Sequence, residues 1–311
     1  MRDDVAEGVR RLAAGELVAF PTETVYGLGA DATDPRAVAK IFALKGRPAD
    51  HPLIVHFHDP AQLPDWVEGV PEVARKLAER FWPGPLTMIL PRAARVPHAV
   101  TGGQETVGVR CPSHPVAREL LRGFAAVGSG GVAAPSANRF GHVSPTTAQH
   151  VRDEFGDGLF VLDGGACEVG LESTIVDLSR GVPVLLRPGA ITRQDLAAVL
   201  GALPGDRDEA APRASGTLAT HYAPATPVAL VDRETLEAQL SGGEDVAVLD
   251  LGANPDPVRY GHDLYARLRE LDARGARRIL VEAPPATPAW EAVNDRLARA
   301  AAGATDLDDE P

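Results

Sequence analysis

The sequence predicts an α/β protein with a larger N-terminal domain and a smaller C-terminal one, and three observations carry that prediction. Before residue 200, short apolar runs are closed by proline or by a polar residue: 17–20 before Pro21, 52–55 before His56, 184–186 before Arg187. They are too short for helical periodicity and read as buried strands. Between them, apolar residues recur at helical spacing behind recognisable caps. Beyond residue 226, strands and helices alternate strictly, the pattern of a small parallel α/β unit.

Taken in order, Val5, Val9 and Leu12 form one face of an opening helix that Gly15 closes. The strand at 17–20 runs into Thr22, Glu23, Thr24 and Tyr26, and Gly27 and Gly29 permit a sharp turn. Asp34-Pro35 opens a helix, Asp34 as N-cap and Pro35 as its first residue, carrying Val38, Ile41 and Phe42. It ends in Lys45-Gly46-Arg47-Pro48, after which a strand delivers His56. A helix with Val73, Leu77, Ala78 and Phe81 is broken by Pro83-Gly84-Pro85, strands follow at 86–90 and 106–110, and Ser113 is placed to cap a helix carrying Val116, Leu120 and Leu121. The run 130–138 reads as a strand that breaks open into Ser136 and Asn138. A helix at about 146–155 follows Ser144-Pro145, then strands at 159–162, 175–178 and 184–186, and a helix at about 192–200.

Residues 202–226 lose all periodicity and read as a linker. The C-terminal units are strand 228–231, helix 234–240, strand 246–249, helix 262–274, strand 278–281 and helix 290–302. The division expected is therefore 1–203, a linker at 204–226, a small domain at 227–303 and an acidic, disordered tail at 304–311.

Charge narrows the function classes. The net charge of -12 divides unevenly: residues 1–203 carry 20 Lys and Arg against 23 Asp and Glu, and 204–311 carry 11 against 20, giving -3 and -9. Broad nucleic-acid binding needs a basic face to neutralise phosphates, so stable binding of this kind is not expected. A double-stranded RNA or tRNA module gripping through Lys45, Arg47 and Arg187 is thereby disfavoured. No apolar run approaches the roughly 20 residues that span a bilayer, and the start Met1-Arg2-Asp3-Asp4 does not read as a secretory signal. Two separated cysteines, Cys111 and Cys167, make neither a metal knot nor a disulfide framework, which fits the cytoplasm. No cluster of carboxylates or Cys/His suggests a protein-held metal.

The familiar nucleotide and hydrolase fingerprints are missing: no GxxxxGK[ST], HExxH or GxSxG occurs, and Gly27-Leu28-Gly29 does not continue as GxGxxG. What remains is a set of polar residues at strand ends, Thr24, Arg47, His56, Arg110, Ser136, Ser144, Thr174 and Arg187. A point-charge lysine and a planar arginine fork on the glycine-containing turn Lys45-Gly46-Arg47 suit a polyanion. In the order in which they occur, PTETVYGLGADA from Pro21, KGRP from Lys45, PLIVH from Pro52, Ser136-Ala137-Asn138 and His221-Tyr222-Ala223-Pro224 resemble the threonylcarbamoyl-AMP synthase family in its two-domain form. The resemblance spans essentially the whole chain. It departs at Ala214-Ser215-Gly216-Thr217, where the family's linker often carries Ser-Pro-Gly-Met, at Ala219, where an aromatic often sits, and at Asp50-His51-Pro52, where Asn-Pro-Leu is commoner.

The resemblance implies a YrdC-like twisted mixed sheet with an open cleft, followed by a linker and a small Rossmann-like parallel α/β domain. It implies a nucleotidyltransferase that turns L-threonine, bicarbonate or carbon dioxide, and ATP into threonylcarbamoyl-AMP and pyrophosphate, for threonylcarbamoyladenosine in tRNA. Lys45 and Arg47 are the implied catalytic pair. Arg47, His51, Thr106, Ser136, Asn138, Ser144, Arg187, His221 and Tyr222 would contact ATP, and Thr24, His56, Arg110, Ala134 and Thr174 would hold threonine, Arg110 taking its carboxylate. Mg2+ would arrive with ATP, and the product would be handed to a downstream tRNA threonylcarbamoyl transferase. Carbamoyl transfer on the same domain is the alternative chemistry. The linker, not the core of the C-terminal domain, is expected to be the second half's contribution, as a lid over the cleft.

Overall fold

The computed structural model describes residues 2–241 and 245–305. Its larger sheet has ten strands in the order Gly205–Asp206, Val184–Arg187, Thr174–Asp177, Leu86–Pro91, Thr106–Arg110, Ile54–His56, Val132–Ala133, Gly27–Asp31, Val18–Phe20, Phe160–Val161. Pairing is mixed, and the register places the site. Ile54–His56 lies parallel to Thr106–Arg110 with His56 opposite Arg110, so two side chains from distant segments leave the sheet side by side. Val132–Ala133 runs antiparallel to both Ile54–His56 and Gly27–Asp31, and its continuation bridges Ser136 to Gly27.

Helices cover both faces. Asp3–Ala13 and Pro115–Ala125 close one face over Phe20, Leu120, Phe124 and Leu162. Pro35–Lys45 and Glu72–Phe81 pack on the larger core around Tyr26, Ile41, Val55, Trp66 and Val109. Each such buried side chain contributes about 1.5–3 kcal/mol of transfer free energy. The smaller sheet is wholly parallel, in the order Val228–Val231, Arg278–Glu282, Val246–Leu249, with Arg233–Ser241, Pro257–Asp272 and Glu291–Thr305 as its helices. Its core takes in Val25, Val143 and Leu171 from the first domain and Tyr222 from the linker, so the two units share apolar contacts.

Several local expectations change. The helix after Thr106–Arg110 is capped by the His114 imidazole, which accepts from Val116 N; Ser113 instead donates its backbone N–H to Glu23 Oε2. The helix expected at 262 starts at Pro257, because Asp256-Pro257 repeats the cap seen at Asp34-Pro35. Gly205–Asp206, inside the expected linker, adds an edge strand beside Val184 and Leu185. The last helix runs to Thr305, two residues into the expected tail, and 306–311 lie outside the described residues. Among the described residues no helix is long and apolar enough to cross a membrane.

Candidate active site

A narrow pocket opens where the strand ends of the large sheet meet the linker. Of the residues expected at a ligand, it gathers Thr24, Arg47, His56, Arg110, Ala134, Ser136, Arg187, His221 and Tyr222 along its walls.

One end is built by Arg110. Its Nη2 donates to Glu23 Oε1 at 2.7 Å, its Nη1 to Thr24 Oγ1 at 2.9 Å and its Nε to the Gly84 carbonyl at 3.4 Å. Three of five N–H groups are thereby used, and one on each terminal nitrogen remains, the geometry of a fork for a carboxylate. Thr22 Oγ1 lies 2.8 Å from Thr24 Oγ1 and donates to the Val25 carbonyl, so the Thr22–Val25 turn is held rigidly. His56 Nδ1 is 3.0 Å from the Ile54 carbonyl. Burial, and then the neighbouring Arg110 charge, push its pKa down to about 3, so the imidazole is neutral near pH 7.

The other end is cationic. Arg187 donates to the Ser173 carbonyl, to Ser173 Oγ and, from Nη1, to the Ser215 carbonyl of the linker. It too keeps two N–H groups. Arg47 Nη2 donates to the Pro52 carbonyl at 3.0 Å, and its buried Nε has no partner. Burial lowers the pKa of Arg47 to about 10, which leaves it charged. Lys45 stands one layer behind: its Nζ donates to the carbonyls of Ser136 and Asn138 and so ties down the turn that carries Ser136 into the pocket.

The linker roofs the cleft. Ser215 Oγ donates to the Pro52 carbonyl, and further on Ala223 N donates to the Gly141 carbonyl. Between these anchors Tyr222 takes φ 64°, the one non-glycine residue with positive φ among the described residues. Such a conformation costs on the order of 1–3 kcal/mol and persists where packing imposes it. Here the ring lies 4.1 Å from His221 and 5.7 Å from Tyr265, with the Arg296 guanidinium 5.3 Å above it.

The remaining expected residues do not line the pocket. Asn138 turns its amide N–H groups to the carbonyls of Arg139 and His142 and leaves a buried Oδ1 unpaired. Ser144 donates to Glu172 Oε1 at 2.5 Å. The Thr174 hydroxyl is spent on the Ile191 backbone, donating to its carbonyl and accepting from its N–H. Thr106 borders a smaller hollow beneath Arg213–Ser215, and His51 packs edge-on against Phe140 outside the pocket. Sequence reasoning passed over Glu172, Ser173 and Ser215, all on the wall, and the partner role of Glu23. The linker is also not the second half's sole contribution: Arg296 and Tyr265 of the C-terminal domain both reach Glu172.

The wall carries three arginines and one carboxylate, Glu172, a surplus of two positive charges in a chain of net charge -12. Buried polar atoms are normally paired, yet Arg47 Nε, Asn138 Oδ1 and His221 Nδ1 all stand unpaired at or beside this pocket. Unmet donors, open arginine forks and a neutral histidine suit a ligand with an anionic chain at one end and a small carboxylate at the other. Among the described residues no three His, Cys, Asp or Glu side chains come together as a metal site.

Residues 10–189 match the family described as "Telomere recombination", and residues 191–302 match the one described as "Threonylcarbamoyl-AMP synthase, C-terminal domain". The chain is 40% identical to the threonylcarbamoyl-AMP synthase of Pyrococcus abyssi, covering 96% of each chain. It is 39% identical to that of Bacillus subtilis, covering 96% of this chain and 93% of the other. The fold superposes on a crystal structure of Pyrococcus abyssi Sua5 complexed with L-threonine, with TM-score 0.88 and 37% identity over 96% of this chain and 94% of that one.

Proposed function

The chain belongs to the threonylcarbamoyl-AMP synthase family in its two-domain form, and on that premise we propose how its pocket serves the reaction. The enzyme is a nucleotidyltransferase whose product supports threonylcarbamoyladenosine formation in tRNA. In our reading residues 1–203 form the catalytic domain, 204–226 the lid and 227–303 the small domain, acting on L-threonine, bicarbonate and ATP in the cytoplasm.

Threonine lies at the Arg110 end. The two open N–H groups of Arg110 take its carboxylate, Glu23 and Thr24 keep the fork aimed, and Thr22 and Thr24 face its hydroxyl. Neutral His56 adds no charge to oppose the substrate amine. The amine adds to carbon dioxide and releases a proton; the carbamate oxygen then attacks the α-phosphorus, a P–O bond forms and pyrophosphate leaves. No side chain need become covalently attached. The protein's contribution is alignment of two ligands and stabilisation of charge on the phosphates. Arg47 and Arg187 supply the latter, Lys45 fixes the Ser136–Asn138 turn behind the triphosphate, and His221 and Tyr222 cover the nucleotide. Ser144 and Thr174 act through Glu172 and Ile191. Mg2+ comes with ATP, bound chiefly by phosphate oxygens. Glu172 does not fit as its ligand, since both its oxygens are engaged by Ser144, Tyr265 and Arg296.

The observation that carries this assignment is the convergence of three partly unsatisfied arginines on one roofed pocket. Pyrophosphate release from ATP in the presence of threonine and bicarbonate tests it. Arg110→Gln is expected to raise KM for threonine and Arg187→Gln that for ATP; folded variants with both constants unchanged would refute the placement.

A further inference from the structure

Glu172 is an anion set into a pocket otherwise made for anions, and two side chains from the C-terminal domain restrain it. Arg296, 1% exposed on the helix Glu291–Thr305, donates from Nε to Glu172 Oε2 at 2.8 Å and from Nη2 to the Pro188 carbonyl at 2.9 Å. Tyr265, fully buried on Pro257–Asp272, donates its hydroxyl to the same Oε2 at 2.8 Å. Burial would raise the carboxyl's pKa, but Arg296 and Arg187, with the bonds from Ser144 and Arg296, outweigh it and hold the group at about 2. The carboxylate is therefore charged. It adjoins Ser173, the residue whose carbonyl and hydroxyl orient Arg187. Arg187 feels the Glu172 charge, yet its polar contacts are with Ser173 and Ser215 and the Glu172 oxygens face Arg296, Tyr265 and Ser144.

We propose that Arg296 and Tyr265 are positioning residues for the nucleotide site: they hold the Glu172 carboxylate toward the C-terminal domain, keeping Arg187 open to phosphate, and hold the Tyr222 ring over the pocket. The inference rests on the reading of the Arg187 end as the nucleotide end. Without Arg296, Glu172 is left as a buried carboxylate with Arg187, which keeps two open N–H groups, as the remaining arginine whose charge acts on it, and the two pair. Phosphate then competes with an internal anion for the same N–H groups. Tyr222 also loses the cation over its ring. The C-terminal domain thereby sets ATP affinity without touching ATP.

The test is binding of α,β-methylene ATP to the full-length chain at saturating threonine, measured by calorimetry, with threonine affinity measured separately. Arg296→Met is expected to weaken analogue binding about 5- to 150-fold, the usual size of a coupling between sites, with threonine affinity changed no more than about twofold. Adding Glu172→Gln to Arg296→Met removes the competing charge, and most of the lost affinity should return. Tyr265→Phe deletes a single hydroxyl and should weaken binding a few-fold. Wild-type affinity in folded Arg296→Met overturns the proposal, and so does a loss that Glu172→Gln leaves unrepaired. Should Arg296→Met not fold, Tyr265→Phe decides, and unchanged affinity there overturns it. Arg187→Gln separates the two levels: if it binds the analogue like wild type, the nucleotide-end reading itself falls. If it binds weakly while the Arg296 and Tyr265 variants bind normally, only this proposal falls.

Discussion

Gly216 is the more confined of the two glycines in the linker, and replacing it with alanine isolates what the roof contributes. The residue takes φ +71°, and a Cβ there would stand 2.0 Å from the Tyr222 hydroxyl oxygen and 2.9 Å from Arg187 Nη1. Ordinary contact begins at 3.4 Å, so the ring would have to retreat by about 1.4 Å, the difference from 2.0 Å. It has little room, since His221, Tyr265 and Arg296 surround it. A non-glycine residue in the left-handed region costs about 1–2 kcal/mol, and overpacking a buried site adds about 1–3 kcal/mol. Together about 2–5 kcal/mol act against the roofed state, which corresponds to roughly 30-fold up to several thousandfold in its population. The segment can relieve the clash by lifting away, which leaves both sheets intact. The expected result for Gly216→Ala is therefore kcat/KM for ATP lower by about 30-fold or more, a near-normal Tm, and faster tryptic cleavage after Arg207 and Arg213. Continuous pyrophosphate release and a timed digest read both effects. A folded variant with wild-type kcat/KM and an unchanged digest would refute the reasoning.

Three further outcomes follow from the pocket. Arg47→Lys should lower pyrophosphate release by about 10²–10³, because an ammonium cannot both donate to the Pro52 carbonyl and present the Nε and Nη1 edge; wild-type turnover would remove Arg47 from the reaction. A site that hydrogen-bonds the substrate hydroxyl through Thr24, whose oxygen keeps an acceptor position beside Arg110, should reject valine by about 10⁴ or more and serine by only about 10–200-fold, which competition kinetics will contradict if valine is the better substrate. Stability should fall on acidification: His56 and His221 are held near 3 by burial, so between pH 6.5 and 3 the unfolded chain binds protons that the native state does not. Each contributes at most about 1.4 kcal/mol per pH unit of loss as pH falls. Glu172 and Glu154, whose cationic and hydrogen-bonded partners outweigh burial to hold them at about 2, add to the loss below their unfolded pKa of about 4.3. Urea midpoints that stay level from pH 7 to pH 5 would contradict this, as would an unchanged slope in His56→Asn.

Local chemistry was legible wherever one segment contained its own instruction. Asp34-Pro35 announced a helix start and Gly46 its end, and the structure has both, with Asp34 accepting from Arg36 N and Gly46 at φ 63°. The runs before His56, Arg110 and Arg187 announced strands that end in a polar residue, and all three residues reach one pocket. Thr174 leads its strand instead of ending it and does not reach the pocket, because its hydroxyl meets the Ile191 backbone. Strand ends are readable from composition, but which way a side chain leaves the sheet depends on pairing and bulges. A register irregularity between Ile175 and Val176, beside Arg187, sits at that point. Likewise Glu23 and Arg110 are separated by 87 residues, and only the parallel pairing of Ile54–His56 with Thr106–Arg110 brings the arginine to the Thr22–Val25 turn.

The contribution of the C-terminal domain was hidden for a different reason, although half of its signal lies in the sequence. Arg296 falls three residues after Val293, four before Ala300 and next to Leu297, all buried, so it stands on the apolar stripe of its helix and not on the solvated face. Tyr265 sits likewise between Leu264 and Leu268. A charge on an apolar stripe requires a buried partner, since an unpaired guanidinium there would cost several kcal/mol. That requirement could be read without coordinates. What could not be read is that the partner is Glu172, 124 residues earlier in another domain, because no periodicity links two elements that meet only through domain packing. The buried arginine is thus a mark that the small domain is built against the pocket wall, and its removal should be felt first at the ligand and only then in the fold.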